Sequence, residues 1–343
     1  MSQAIYRPII IGLSGPELTS PESHWIQALQ PYGVILFRRN LVDPAQVRTL
    51  VAAVRDCAGE DCPIWIDQEG GRVQRLGPPH WPRLPSPLAI GRCWRRHAFD
   101  GLTRAQALGQ VIGHQLASLG ITHTCAPCLD LAITGADPVI GDRAFGTTPA
   151  EVIPLALAFL DGLQTTGVVG IVKHLPGMGR VTADSHVTCP IIETPLATLE
   201  AEDWLPFRVI QTRVVMTAHV TLPAFGSAPV TVNPEALSRL RLLCPDSLIV
   251  SDCLTMGALH GSIEARVGAT LDAGCDLALY SNGTSSERER AVRAAGEPRL
   301  AREPRETLRP LPEDRVADCL AHLERLIEAD QADPTRDQPA TGA

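Results

Sequence analysis

The 343-residue chain predicts a single (β/α)8 barrel, and three observations carry that prediction. Eight short apolar runs recur along it, each ending in polar residues or a glycine. Helical patterns with their own start signals separate the runs. With 45% hydrophobic residues and a mean hydropathy of +0.05, the chain has enough apolar material for one large α/β core.

In chain order the runs are Pro8-Gly12, Gly33-Phe37, Pro63-Asp67, Ile121-Cys125, Val168-Lys173, Val214-His219, Leu248-Asp252 and Asp276-Tyr280. Among the intervening helices, Asp43-Pro44, Thr148-Pro149 and Asn233-Pro234 each pair an N-cap residue with a proline at the first helical position. In the first of these helices, Val47, Leu50, Val51 and Val54 share one buried face. Pro154 lies inside the helix that begins near Pro149 and predicts a kink or a late start there. The segment from Ser281 to Arg309 is rich in Arg, Glu, Gly and Ser and offers helical stretches at best. A last amphipathic helix is predicted from about Glu313 to Glu328, with Val316, Leu320, Leu323 and Ile327 on one face. The catalytic domain is thus expected to span residues 1–328, with a disordered tail from Ala329 to the end.

The net charge of -8 argues against nucleic acid or an anionic membrane surface as a partner, and a small neutral or acidic metabolite fits better. No apolar stretch reaches the ~20 residues that a membrane-spanning helix needs. The run from Pro8 to Leu13 reads as a first strand rather than a signal peptide, so a cytoplasmic protein is expected. Ten cysteines are scattered through the chain, several of them inside apolar segments, and buried free thiols are the default reading. Cys125-Ala-Pro-Cys128 has CxxC spacing, but no second pair follows at zinc-ribbon distance and the context is a strand.

In such a barrel the C-terminal strand ends form the reactive face. Four of them carry polar candidates, namely Asp67, the Lys173-His174 pair, His219 and Asp252. Asp252 follows three apolar residues and a serine and would project into the barrel mouth; the alternative is an N-cap for a helix starting near Leu254. Asp67 opens Gln68-Glu69-Gly70-Gly71-Arg72-Val73-Gln74-Arg75, a segment dense in hydrogen-bonding groups that reads either as a binding loop or as a solvated loop with internal salt bridges. On the long loop after the fifth strand, the i, i+2 spacing of Asp184 and His186 lets a carboxylate orient one imidazole nitrogen while the other faces a substrate. An isolated pair of this kind also reads as an Asx-type turn with an exposed histidine.

Taken together, four strings resemble the bacterial β-N-acetylglucosaminidases of glycoside hydrolase family 3. They are Ile66 through Arg75, Ile140-Gly141-Asp142-Arg143-Ala144-Phe145, Lys173-His174-Leu175-Pro176-Gly177 through Asp184-Ser185-His186, and Ser251-Asp252-Cys253-Leu254-Thr255-Met256. The resemblance covers about residues 8–282. It implies Asp252 as the nucleophile of a retaining glycosidase and His186 as its acid/base, with Asp184 as partner. It also implies that Asp67, Arg75, Arg143, Lys173 and His174 hold the sugar and its N-acetyl group. The implied substrate is N-acetylglucosamine at the end of a muropeptide released in cell-wall recycling, with no metal or organic cofactor and a monomeric enzyme.

This sequence departs from the family pattern in three places. Met178 stands where histidine is usual, Cys253 stands where a second aspartate is common, and the stretch after Asn282 shares little with the family. The first removes a polar group near the substrate and the second removes a hydrogen-bonding partner beside the nucleophile. Three rival readings follow: a Schiff-base enzyme using Lys173, a sugar-binding relative without turnover, and an enzyme that passes the sugar to phosphate instead of water.

Overall fold

The computed structural model describes residues 5–185, 188–301 and 306–331. Its centre is a ring of parallel strands: β1 (Ile5–Gly12), β2 (Pro31–Leu36), β3 (Ile64–Ile66), β4 (His123–Thr124), β5, β6 (Val214–Thr217), β7 (Leu248–Cys253) and β8 (Leu277–Tyr280). Strand β5 is a single extended run interrupted at Ile171, with segments Val169–Gly170 and Val172–Leu175. Its first segment pairs with β4 and its second with β6, while β1 pairs with both β2 and β8. The remaining neighbours pair in sequence order, so the ring closes as a (β/α)8 barrel.

Past the exposed start of β1 the strands are largely buried on both faces, and the two-residue side-chain period divides each run between two environments. Ile10, Ile35, Trp65, Cys125, Ile171, Met216, Val250 and Leu279 pack together in the lumen. Their neighbours Ile9, Ile11, Val34, Leu36, Ile64, Ile66, Val215 and Ile249 belong to the larger core beneath the helices. A near-continuous apolar run is therefore what a strand in this position requires.

The outer helices begin where their caps lie. In α1 (Ser20–Leu29), Thr19 and Glu22 form a capping box. In α2 (Pro44–Ala58), the Asp43 carboxylate accepts the N–H groups of Ala45 and Gln46, and Val47, Leu50, Val51 and Val54 are all buried. Next come α3 (Pro87–Arg96), α4 (Ala98–Ser118) and α5 (Pro149–Gln164). Helix α5 starts at Pro149 and continues through Pro154, so the late start does not occur; Glu151 rather than Thr148 takes a free N–H at its start, that of Thr147. Short helices α6 (Leu196–Ala201) and α7 (Leu205–Val209) follow, then α8 (Pro234–Arg241) with Asn233 bonded to the Ala236 N–H, and α9 (Ile263–Ala273).

The C-terminal region is more regular than its composition suggests. Thr284 and Glu287 box the start of α10 (Ser285–Ala294), and Leu300–Ala301 adds a short strand antiparallel to β1. Helix α11 (Glu313–Gln331) packs on α3 and α4. Its buried seam runs through Val316, Cys319, Leu323 and Leu326, whereas Leu320 and Ile327 are only half-buried. The predicted stripe is thus rotated toward Cys319 and Leu326 by the position of the neighbouring helices. Most of the predicted tail, from Ala332, lies outside the described residues. Among the described residues no helix is long and apolar enough to cross a membrane.

Helices α4 and α5 approach closely because each places a glycine on the other's backbone. A Cβ at Gly109 would lie 2.1 Å from the Phe159 carbonyl oxygen, and one at Gly162 would lie 2.2 Å from that of Gln106. Alanine raises intrinsic helix stability by about 1 kcal/mol over glycine, whereas overpacking costs about 1–3 kcal/mol. Gly109→Ala should therefore lower stability in urea unfolding. A stabilised variant would show that α4 can back away from α5 freely.

Candidate active site

The C-terminal strand ends open on a cavity of about 590 Å³, within the usual range for small-molecule sites. Asp67, Arg75, Arg143, Lys173, His174, Asp184 and Asp252 all line it, brought together from four strand ends and their loops. His186 lies outside the described residues.

One wall is a chain of alternating charges. The Lys173 ammonium, from β5, donates to Glu69 at 2.7 Å and to Asp67 at 3.1 Å, both from the segment after β3. Arg75 extends the chain on the Asp67 side at 3.0 Å, and Arg143 clamps Glu69 through Nε and Nη2 at 3.0 and 2.9 Å. Burial pushes the Asp67 and Glu69 carboxyls up, but the neighbouring Lys173 and arginine charges outweigh it and hold both below the usual range. Burial likewise lowers Lys173, and Glu69 and Asp67 outweigh that too, so the ammonium is held above its ordinary value. An amine paired with two carboxylates is a poor carbonyl nucleophile, which weighs against Schiff-base chemistry.

His174 is the next residue after Lys173, and both side chains line the cavity. Its Nδ1 lies 2.6 Å from Asp130 Oδ2 and its Nε2 lies 3.2 Å from Arg143 Nη2. Asp130 is fully buried and also receives the Met178 N–H at 2.7 Å and the Cys128 thiol at 3.1 Å. Burial raises the Asp130 carboxyl, and His174 together with these hydrogen bonds more than offsets it.

Across the cavity, Asp252 sits within strand β7 rather than at a helix start; the next helix begins at Ile263 under a Ser262 cap. The N-cap alternative for Asp252 is therefore excluded. Its Oδ1 accepts the Cys253 N–H at 2.6 Å, so Cys253 supplies through its backbone a hydrogen bond that its side chain does not. The Cys253 thiol bonds to Ser281 and Thr255 instead, at 2.8 and 3.0 Å. His219, the remaining polar strand end, does not line the cavity: it is buried between Thr231 Oγ1 at 2.8 Å and the Cys253 carbonyl at 3.0 Å, bracing the end of β7.

Loops are tied to this frame by specific bonds. Arg72 pairs with Asp142 at 2.7 Å and donates to the carbonyls of Pro138, Val139 and Ile140, fastening the loop that carries Arg143 to the segment after β3. The polar segment after Asp67 is thus both lining and clamp. Met178 turns its side chain into the core, and its N–H is bonded to Asp130.

Sequence reasoning assigned no role to Glu69 or Asp130. Glu69 was visible as an acid between Gln68 and Gly70, two residues after Asp67. Asp130 had one signal, a lone carboxylate inside the otherwise apolar stretch from Cys125 to Ile133. Among the described residues, Cys128, Asp130 and His174 offer three potential metal-ligating atoms within 4.8 Å of one another. Two N/O ligands sharing a tetrahedral zinc at about 2.0–2.1 Å would stand roughly 3.3 Å apart, whereas Asp130 and His174 are 2.6 Å apart and hydrogen-bonded. The CxxC cysteines are free and buried, and burial raises both thiols.

Comparison with known proteins gives this arrangement a relationship. The chain is 34% identical to the Beta-hexosaminidase of Thiobacillus denitrificans, covering 96% of this chain and 97% of that protein. Its fold matches native NagZ from Neisseria gonorrhoeae with a TM-score of 0.82 at 29% identity, over 95% of this chain and 99% of the other. NagZ of the same organism in complex with N-trifluoroacetyl-D-glucosamine gives 0.81, also at 29% identity and with the same coverage. The profile described as Glycosyl hydrolase family 3 N terminal domain matches residues 12–304. A barrel whose strand ends carry these groups, matched over most of its length, belongs to glycosyl hydrolase family 3.

Proposed function

We propose that the protein is a retaining exo-β-N-acetylglucosaminidase. It would remove terminal, non-reducing β-linked N-acetylglucosamine from peptidoglycan fragments in the cytoplasm, acting as a monomer. The observation that carries this reading is the gathering, around one cavity, of the Asp252 carboxylate and the charged groups of Asp67, Lys173, Arg143 and His174. The relatives' activity as hexosaminidases and the binding of an N-acylated glucosamine by a structural neighbour support the choice of sugar. The muropeptide context follows from the family resemblance.

In the first step an Asp252 oxygen attacks the anomeric carbon. The bond to the leaving oxygen breaks as His186 gives that oxygen a proton, and a glycosyl ester remains on Asp252. Water then attacks the same carbon, His186 takes its proton, and Asp252 leaves as a carboxylate. Asp184 lines the cavity and would orient the imidazole from its Nδ1 or Nε2 side, as the spacing of the pair requires. The wall groups hold the sugar hydroxyls and the N-acetyl group with donors and acceptors already oriented, so little reorganisation accompanies binding. The imidazole acid places no second carboxylate beside the glycosyl ester.

Trapping with a fluorinated N-acetylglucosamine analogue, followed by peptide mapping, should label Asp252. Asp252→Ala should abolish turnover of an aryl N-acetyl-β-glucosaminide while changing N-acetylglucosamine affinity little, because the group acts in the transition state. Label on another residue, or retained turnover, would remove Asp252 from this role. A wild-type protein that binds the sugar and releases no aglycone would instead be a binding relative, and formation of the sugar 1-phosphate in phosphate buffer would make phosphate the acceptor.

His186→Ala should slow substrates with poor leaving groups far more than activated aryl glycosides, since only the former need a proton at departure. Equal slowing across a leaving-group series would count against His186 as the acid.

A further inference from the structure

Asp130 touches no part of the cavity, yet every bond it makes leads to a group that does or to the base of a loop that does. The segment carrying it is strapped to β5 by backbone bonds, with the Leu129 N–H on the Lys173 carbonyl at 2.7 Å and the Lys173 N–H on the Pro127 carbonyl at 3.3 Å. Asp130 therefore meets His174 as a fixed group. Its Oδ2 receives His174 Nδ1 at 2.6 Å and the Cys128 thiol at 3.1 Å; its Oδ1 receives the N–H groups of Met178 at 2.7 Å and His174 at 3.3 Å. A carboxylate has about four lone-pair positions, and here all four are taken by donors.

This count decides a tautomer. A carboxylate only accepts, so the hydrogen between Asp130 and His174 is on Nδ1. Arg143 only donates, and its Nη2 lies 3.2 Å from Nε2, so Nε2 carries the lone pair. We propose that Asp130 is a positioning residue that locks His174 as the Nδ1–H tautomer, so that Nε2 accepts from Arg143 and holds that guanidinium, which lines the cavity, in place for the bound saccharide. The role rests on the saccharide-binding reading of the cavity given above.

Asparagine at position 130 keeps the size and loses the logic. With its oxygen toward Nδ1, its NH2 faces the Met178 and His174 backbone donors; turned the other way, its NH2 faces Nδ1–H. Either orientation opposes donor to donor, or forces the other tautomer and sets Nε2–H against Arg143.

Asp130→Asn should therefore lower kcat/KM on an aryl N-acetyl-β-glucosaminide at least about tenfold, chiefly through KM, since a hydrogen bond to a charged group is at stake. In a His174→Ala background the same substitution should cost less than about threefold, because its target is gone. An unchanged kcat/KM, or the same fold loss in both backgrounds, would overturn the proposal, the latter by showing that Asp130 acts without His174. An independent readout needs neither activity nor a variant that folds well: ¹⁵N-histidine NMR of the wild-type protein should show His174 protonated at Nδ1 and bare at Nε2. A resonance showing Nε2–H would overturn it. If the wild type hydrolyses no hexosaminide, the function fails while this spectrum still decides the tautomer.

Discussion

The ammonium of Lys173, sealed between Asp67 and Glu69, is the interaction around which the site is arranged. Its side chain is only 3% exposed, and an unpaired charge at that depth would neutralise or unfold the surrounding structure. Two carboxylates supply the compensation, and each needs a further cation, which Arg75 and Arg143 provide. The result is a wall of charges that cannot be thinned one member at a time without stranding its neighbour. Its members come from β5 and the segments after β3 and β4, so its geometry is set by barrel closure.

That wall explains why the surrounding loops are tied down. Arg143 can face Glu69 only if its loop is held, and Arg72 holds it through Asp142 and three consecutive carbonyls. His174 can face the cavity in one tautomer only if Nδ1 is committed elsewhere, and Asp130 commits it. On the opposite side, His219 fixes the carbonyl of Cys253 while the N–H of the same residue fixes Asp252. Groups that would meet a saccharide are thus oriented by a second layer of polar residues, of which Asp130 and His219 are buried with their partners in place.

Much of this was legible in the chain. The eight strands, the start of α2 and its buried face, the N-cap of α8 and the gathering of polar residues at strand ends follow from short-range rules about periodicity, capping and turn chemistry. These rules act within a few residues, which is why they can be read without coordinates. The seam of α11 was less legible, because which of two overlapping stripes is buried depends on the angle at which α3 and α4 meet it.

What the sequence by itself determined is therefore the barrel and the local setting of Asp67, Lys173, His174 and Asp252, each at the end of an apolar run. What only the tertiary structure decided is which polar residues face the cavity and which support it. His219 looked like the others and braces β7, Asp252 could have been a cap and is not, and Glu69 and Asp130 gain their importance from residues 104 and 44 positions away. A carboxylate's role depends on the charge or donor it meets, and in a closed barrel that partner comes from a nearby strand end, at a distance along the chain that no local pattern records.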